Sequence, residues 1–352
     1  MKLADLVVAG MPALIKKYGN KITAHQRQAL HAIIDCRTGA FGSTLMSCDD
    51  CHHKQLRHRS CGHRSCPQCQ HHSNQAWLER QQAKLLPVSY FMVTFTLPAQ
   101  LRALVYANPT VCYNALFYVA LDTLKTFASN DQMLNGELGA CAILHTNTRR
   151  LDYHPHIHFI VPGCAVNRSR KQWRKLKGDY LFNGRQLAKV FRARMLASIN
   201  QLQLTLPDKL PGEWNVQCKH VGKGLPALQY LSRYLYRGVI SDKDLIYFDL
   251  DQKQITFRYR ESTSGEYRYR TLPLDDFLWR ITMQVLPKGF RRVRDYGLLH
   301  GNAKSRMILL QVLLRVQLPP PIIKIVTAYN CLRCQAAMRI IGFLQPGTFP
   351  PG

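Results

Sequence analysis

The sequence predicts an α+β fold in which helices pack on a central antiparallel sheet, with a small cysteine-rich domain in front of it. Apolar residues make up 46% of the 352, enough to bury a core. Strand-like runs interleave with helical ones and are joined by short polar turns, which favours hairpins over a doubly wound sheet. Between residues 36 and 72 apolar periodicity gives way to cysteine and histidine, the texture of a domain held by metal instead of a core.

Taken in order, residues 1–35 read as short helices, with Ala24, Ala29, Ala32, Ile33 and Ile34 on a basic, polar background. Helical texture returns over 74–86 around Trp77, Leu78, Ala83 and Leu85. Tyr90 to Leu97 is a β-branched and aromatic run closed by Pro98, which predicts a buried strand. A long helix is expected from about 101 to 127, then a hairpin of 140–146 and 152–161 about the polar turn 147–150. Residues 168–177 read as a basic loop, followed by a helix to about 201 and another from Pro226 to Gly238. The segments 255–260 and 266–271 alternate about a Ser-Gly turn, a hairpin whose polar face carries Arg258, Arg260, Arg268 and Arg270. A helix is expected over 274–285, and the last fifty residues are proline-rich and weakly patterned. The expected organisation is a helical segment at 1–35, the cysteine-rich domain at 36–86, the main α+β domain at 87–305 and a tail at 306–352.

Charge narrows the partner. Lys and Arg number 48 against 21 Asp and Glu, a formal +27. Such a surplus repels itself unless a polyanion neutralises it, and nucleic acid is the default. A membrane surface or ribosomal RNA would account for the charge equally well. No run approaches the length of a membrane span. Asp5 interrupts the apolar N-terminal stretch and no small-residue cleavage site follows, so no signal peptide is expected. Twelve cysteines in such a chain point to metal before disulfides, and to a reducing compartment, the cytosol (cytoplasm) or nucleoid.

Cys48-x2-Cys51 and Cys66-x2-Cys69, with fourteen residues between them, have near zinc-ribbon spacing. Each pair aims two thiolates at one ion, so a tetrahedral, structural Zn²⁺ is expected; four thiolates leave no open position for catalysis. Cys36 and Cys61 lie near, with His52, His53, His58, His63, His71 and His72, and leave room for a second ion or another ligand set. Cys331-x2-Cys334 in the tail is half a site.

The sharpest feature is His154-Pro155-His156-Ile157-His158-Phe159. Alternation along a strand puts the three histidines on one face and Ile157 and Phe159 on the other. Two imidazoles can converge on one cation, and by geometry the pair is 154/156 or 156/158. In the helix after Pro226, Tyr230 and Tyr234 stand four apart on one face, with Leu228, Leu231 and Leu235 as the buried stripe. Phenols beside cations can attack a phosphodiester, although tyrosines at this spacing are commonly packing residues.

A His-hydrophobe-His strand followed about seventy residues later by Tyr-x3-Tyr, in a very basic chain, resembles the two-tyrosine HUH endonucleases. Over nearly its whole length the chain is similar to the rolling-circle insertion-sequence transposases, the group typified by insertion sequence 91. The resemblance includes Cys61-Gly62-His63-Arg64-Ser65-Cys66-Pro67-Gln68-Cys69-Gln70, Leu86-Pro87-Val88, Phe95-Thr96-Leu97-Pro98 and Ile143-Leu144-His145-Thr146 leading into the histidine strand. It continues through Tyr230-Leu231-Ser232-Arg233-Tyr234 and Val285-Leu286-Pro287-Lys288-Gly289-Phe290 to Tyr296-Gly297-Leu298-Leu299. Two places depart from the family's habit: Gly163-Cys164-Ala165 stands where a glycine run is usual, and the turn 147–150 is unusually basic.

The resemblance implies the HUH fold, a central antiparallel sheet with packed helices, preceded by a zinc-binding domain. It implies that the histidine pair is His156 and His158, that Tyr230 and Tyr234 are the nucleophiles, and that cleavage leaves a 5′-phosphotyrosine and a free 3′-OH. Two tyrosines then permit consecutive strand transfers. The catalytic ion expected is Mg²⁺ or Mn²⁺, with His145 the first choice for a third ligand and Gln229 the second. Arg168, Arg170, Lys171, Arg174, Lys175 and Lys177 around Trp173 suit a single strand of DNA, with cations on phosphates and an aromatic for stacking. No Walker-type nucleotide motif is present, and none is needed when the tyrosyl link conserves the phosphodiester energy. Two rival readings are a plasmid replication initiator or relaxase with the same chemistry, and a zinc-dependent nucleic-acid-binding regulator without catalysis. The cysteine segment disfavours the first; the second leaves the histidine strand and the tyrosine pair without a role.

Overall fold

The computed structural model describes residues 1–352 except 168, 171, 224, 227–228, 230–239, 262–263, 318–328 and 347–352, and except the side chains of 70–74. In chain order its elements begin with α1 Leu3–Tyr18, α2 Ala24–Ile34, β1 Ser43–Cys48, β2 Lys54–His58, α3 Gln70–Gln82 and β3 Ser89–Thr96. They continue with α4 Arg102–Ala107, α5 Pro109–Asn130, β4 Glu137–Leu138, β5 Ala140–Asn147, β6 Tyr153–Pro162, β7 Cys164–Asn167 and β8 Gln172–Lys175. Then come α6 Gly184–Gln201, β9 Asn215–Lys223, β10 Leu245–Asp249, β11 Gln254–Arg260, β12 Tyr267–Pro273 and α7 Leu274–Thr282. The last are β13 Val293–Tyr296, α8 Lys304–Leu313, β14 Tyr329–Asn330 and β15 Ala337–Leu344. No helix among the described residues is long and apolar enough to cross a membrane.

The chain forms two compact units, one from 1–75, 237–285 and 320–352, the other from 76–236 and 286–319. The four consecutive segments expected from sequence are thus regrouped, and the reason lies in two pairings within the first unit. α7 lays Leu274 and Leu278 against α1 so closely that a Cβ on Gly10 would stand 2.5 Å from Leu278 Cδ1. Lys17 bridges to Asp275 and Asp276 at 2.9 and 2.8 Å, and Gln26 Nε2 donates to the Thr282 carbonyl at 3.0 Å. Gln26 is also half of a capping box with Thr23, which starts α2. The second pairing is β15 against β1, which completes an antiparallel sheet of order β14-β15-β1-β2 from both ends of the chain. The β10-β11-β12 meander forms a sheet of its own, with the expected hairpin in place.

In the second unit the fold class is the expected one, a five-stranded antiparallel sheet of order β13-β5-β6-β3-β9 with helices packed on it. Its strands keep the predicted alternation. Phe91, Val93, Phe95, Ile157 and Phe159 are fully buried, with Phe95 in edge contact with Phe159 and with Phe191 of α6. The opposite face is shared between two environments. Tyr90, Cys141, Ile143 and Ile160 are sealed in an apolar cluster with Trp77, Leu86, Leu298, Leu299, Met307 and Leu310. Further along that face Thr94, His145, His156 and His158 are only half-buried.

Two local expectations change. The long helix is broken into α4 and α5 at Asn108 (φ −127°, ψ 53°), because Pro109 opens α5 and disfavours helical backbone in the residue before it. The expected basic loop is the β7–β8 hairpin, which pairs with β4 in a second, small sheet of the unit.

Candidate metal-centred active site

β6 is the central strand of the five, so its side chains are fixed by pairing on both edges. His156 lies opposite His145 of β5 and opposite Thr96 of β3; His158 lies opposite Ile143 and Thr94. Directly opposed residues on antiparallel strands share a face. The register therefore brings His145, His156 and His158 together. Their ring centroids are 5.3 Å (145–156), 4.7 Å (145–158) and 4.9 Å (156–158) apart, and one ring nitrogen from each lies within 4.8 Å of the others. The fourth histidine of this face is held elsewhere: Arg102 donates to His154 Nδ1 at 2.8 Å. Of the two pairs that strand geometry left open, the three-histidine group contains 156 and 158 and excludes 154.

The tautomers follow from the partners. His156 Nδ1 is 2.6 Å from the His154 carbonyl, which can only accept, so Nδ1 carries the proton and Nε2 keeps its lone pair. His158 Nδ1 stands 2.8 Å from Thr94 Oγ1; with Nδ1 donating to that hydroxyl, its Nε2 is likewise a lone-pair donor. Burial in the sheet, reinforced by neighbouring positive charge, lowers the His156 pKa to about 4, and burial with the adjacent His156 lowers that of His158 to about 3. Both rings are neutral at physiological pH. Three imidazoles with converging nitrogens suit a divalent cation, whose other positions would be left for water or phosphate. Thr94, placed by the pairing register, and Arg102, carried to His154 on α4, are contributors that the sequence pattern alone does not single out.

Tyr230 and Tyr234 lie outside the described residues, as do Arg168 and Lys171. Gln229 is exposed. Of the other cations grouped with them, Arg170, Lys175 and Lys177 are exposed, while Arg174 is half-buried and donates to the Gln132 carbonyl at 3.1 Å. Trp173, expected to offer its ring for base stacking, packs half-buried on the apolar cluster of Trp77 and Leu86. The β7–β8 hairpin thus presents cations to solvent beside a partly exposed aromatic ring.

The cysteines sort differently from the expected single site. Cys48 and Cys51 do not meet Cys66 and Cys69. Cys66 and Cys69 group with Cys36 and Cys61, and Cys48 and Cys51 with Cys331 and Cys334. The β1–β2 hairpin enforces the separation. It carries Cys48 and Cys51 at its turn, whereas Cys61 follows β2, a five-residue strand that rises roughly 16 Å. In the first group Cys69 Sγ lies 3.7 Å from Cys36 Sγ and 3.6 Å from Cys61 Sγ.

Two family models match the chain: "Transposase zinc-binding domain" over residues 8–97, and "Putative transposase" over 139–306, a span that holds the three histidines and the two tyrosines. The chain is similar to "Putative transposase y4qJ" of Sinorhizobium fredii, 33% identical over 340 residues that cover 88% of this chain and 85% of that protein. It is similar also to "Transposase for insertion sequence element IS801" of Pseudomonas savastanoi pv. phaseolicola, at 26% identity over 340 residues, 87% of this chain and 81% of that one. Among solved structures, the conjugative relaxase TrwC in complex with mutant oriT DNA aligns with 36% of this chain and 48% of its own, at 22% identity and a TM-score of 0.29. TrwC complexed with a 27-mer DNA aligns with 65% and 75%, at 14% identity and a TM-score of 0.27. The length and identity of the match to the Sinorhizobium protein, with both family models in register, establish that the chain belongs to the insertion-sequence-91 type of rolling-circle transposases.

Proposed function

We propose that this transposase nicks and rejoins single-stranded DNA at element ends through 5′-phosphotyrosine links, using Mg²⁺ or Mn²⁺ at His145, His156 and His158. The observation that carries the reading is the convergence of three ring nitrogens within 4.8 Å on the half-buried part of a sheet face. The residues fit such an ion: His156 and His158 are neutral and their Nδ1 partners leave their Nε2 lone pairs available. Imidazole is not the hard oxygen donor that Mg²⁺ prefers, so water and phosphate oxygens would complete the shell and DNA would strengthen metal binding. When bound, the ion supplies Lewis-acid polarisation of the scissile phosphate.

The protein's own groups do the rest. The phenol oxygen of Tyr230 or Tyr234 attacks phosphorus, forming the tyrosyl ester as the bond to the 3′-oxygen breaks; the phenol proton is lost and the leaving oxygen gains one. The other tyrosine serves the second transfer without release of the first covalent end. Arg170, Lys175 and Lys177 offer exposed cations for the phosphates of the strand.

Incubating the full chain with labelled single-stranded oligonucleotides from element ends, with and without Mg²⁺, and resolving them on a denaturing gel tests the reading. A metal-dependent covalent protein–DNA band is expected. Tight binding with no cleavage would instead make the chain a zinc-dependent DNA-binding regulator.

A further inference from the structure

We infer that the chain holds a second structural Zn²⁺ at Cys48, Cys51, Cys331 and Cys334, the last two from beyond the matched zinc-binding segment. Their four thiols lie within 4.8 Å of one another although the paired cysteines are 280 and 286 residues apart in sequence. The inference does not rest on the proposed DNA chemistry.

Three observations carry it. The first is spacing. Cys48 Sγ stands 3.4 Å from Cys334 Sγ, and Cys51 Sγ 3.6 Å from Cys331 Sγ. Ligands at a Zn–S distance of about 2.3 Å sit about 3.8 Å apart along the edge of a tetrahedron. A disulfide would need about 2.05 Å. The thiols are too far apart for covalent pairing and close to the separation a tetrahedral ion would set.

The second is the backbone. Both cysteine pairs sit in hairpin turns of the same construction. In one, the His52 N–H donates to the Cys48 carbonyl at 3.1 Å and the Cys48 N–H to the His53 carbonyl at 3.0 Å. In the other, the Gln335 N–H donates to the Cys331 carbonyl at 2.9 Å and the Cys331 N–H to the Ala336 carbonyl at 2.8 Å. The residue after each second cysteine, His52 (φ 56°) and Gln335 (φ 63°), takes left-handed backbone that non-glycine residues seldom adopt. Two turns with the same bonds and the same unusual φ, facing each other through four thiols, are paired metal-binding knuckles.

The third is how little apolar side chain is buried beside the thiols among the described residues. The apolar cluster around the thiols consists of Met46, Cys48, Cys331 and Met338, with Cys51 and Ala336 beside it. Ile340, Ile341 and Phe343 of β15 are exposed. A sheet with so little apolar burial needs another source of stability, and a tetrathiolate ion is one. The ion would bind the chain's C-terminal hairpin to its N-terminal one, so that the zinc-binding unit is complete only with residues from both ends.

The test uses the full-length chain loaded with Co²⁺ in place of Zn²⁺, reading the cobalt–thiolate charge-transfer band, to which the histidine cluster contributes nothing. Cys331→Ser with Cys334→Ser should halve the band, as should Cys36→Ser with Cys61→Ser. An undiminished band in the Cys331/Cys334 variant would overturn the inference. In case that variant fails to fold, alkylation of the unaltered zinc-loaded chain gives an independent reading. Cys334 is exposed as a free thiol, so only metal would shield it. Mass mapping should find Cys331 and Cys334 protected with zinc and modified after chelation. Equal rates of modification in both states would overturn the site.

Discussion

Adjacent residues of β6 should respond to truncation in opposite ways. Ile157 is fully buried between Leu144 of β5 and Phe95 of β3, its pairing partners, both of them fully buried too. Ile157→Ala removes about three methylene equivalents at about 0.8 kcal/mol each, about 2.4 kcal/mol of transfer free energy. The flanking residues are held by the strand ladder, so the void cannot collapse fully, and the total should reach about 3–4 kcal/mol. In a unit of this size that lowers the melting temperature by about 6–16 °C. His156→Ala removes a half-buried ring and one hydrogen bond to the His154 carbonyl, and should change stability by no more than about 1 kcal/mol. Its nicking activity should vanish, whereas Ile157→Ala assayed well below its melting temperature should keep metal-dependent nicking. Calorimetric melts of both variants beside a nicking assay make the comparison. A large melting shift for His156→Ala with none for Ile157→Ala would refute the facing of the strand and the site built on it.

Thr94→Val should weaken Mn²⁺ binding about 10–100-fold by releasing His158 Nδ1, with Thr94→Ser restoring it, as read by titration calorimetry; unchanged affinity in the valine variant would remove Thr94 from the site. Gly297→Ala should destabilise the second unit by at least about 2 kcal/mol, because φ is +55° and a Cβ would collide with the Leu138 carbonyl oxygen. A melting temperature equal to wild type would contradict that packing. The pH dependence has a definite sign. His156 and His158 have folded pKa values lowered to about 4 and about 3, so below about 6.5 the unfolded chain takes up protons that the folded chain does not. Stability of the chelated chain present at neutral pH should therefore fall as pH drops below about 6.5, flattening near the folded values. The slope should be shallower in the His156→Ala, His158→Ala chain, and equal slopes would argue against buried neutral rings.

What the sequence makes legible is local. The β3 and β5–β6 strands announce themselves by dense aromatic and β-branched residues, because their faces are buried, and alternation alone puts the β6 histidines on one face. The choice between His154 and His158 is not local: it depends on Arg102 reaching His154 and on Ile143 and Thr94 standing opposite His158. The cysteines mislead for the same reason. Spacing suggests one site from the nearest two pairs, whereas the partners of Cys48 and Cys51 lie some 280 residues further on. β14 and β15 sit in a stretch without periodicity because one face of their sheet has almost nothing to bury. β9 and β13 escape a pattern search as edge strands of the central sheet with mixed polar sequences.

The most direct measurement is to trap the covalent adduct formed with a single-stranded element end in Mg²⁺ and to map the modified peptide by mass spectrometry. The account predicts a phosphodeoxynucleotide on Tyr230 or Tyr234. It predicts no adduct from the folded, DNA-binding Tyr230→Phe, Tyr234→Phe chain or from His156→Ala with His158→Ala, and a near-normal yield from Tyr236→Phe. An adduct that persists in the double phenylalanine chain, or that maps to another residue, would contradict it.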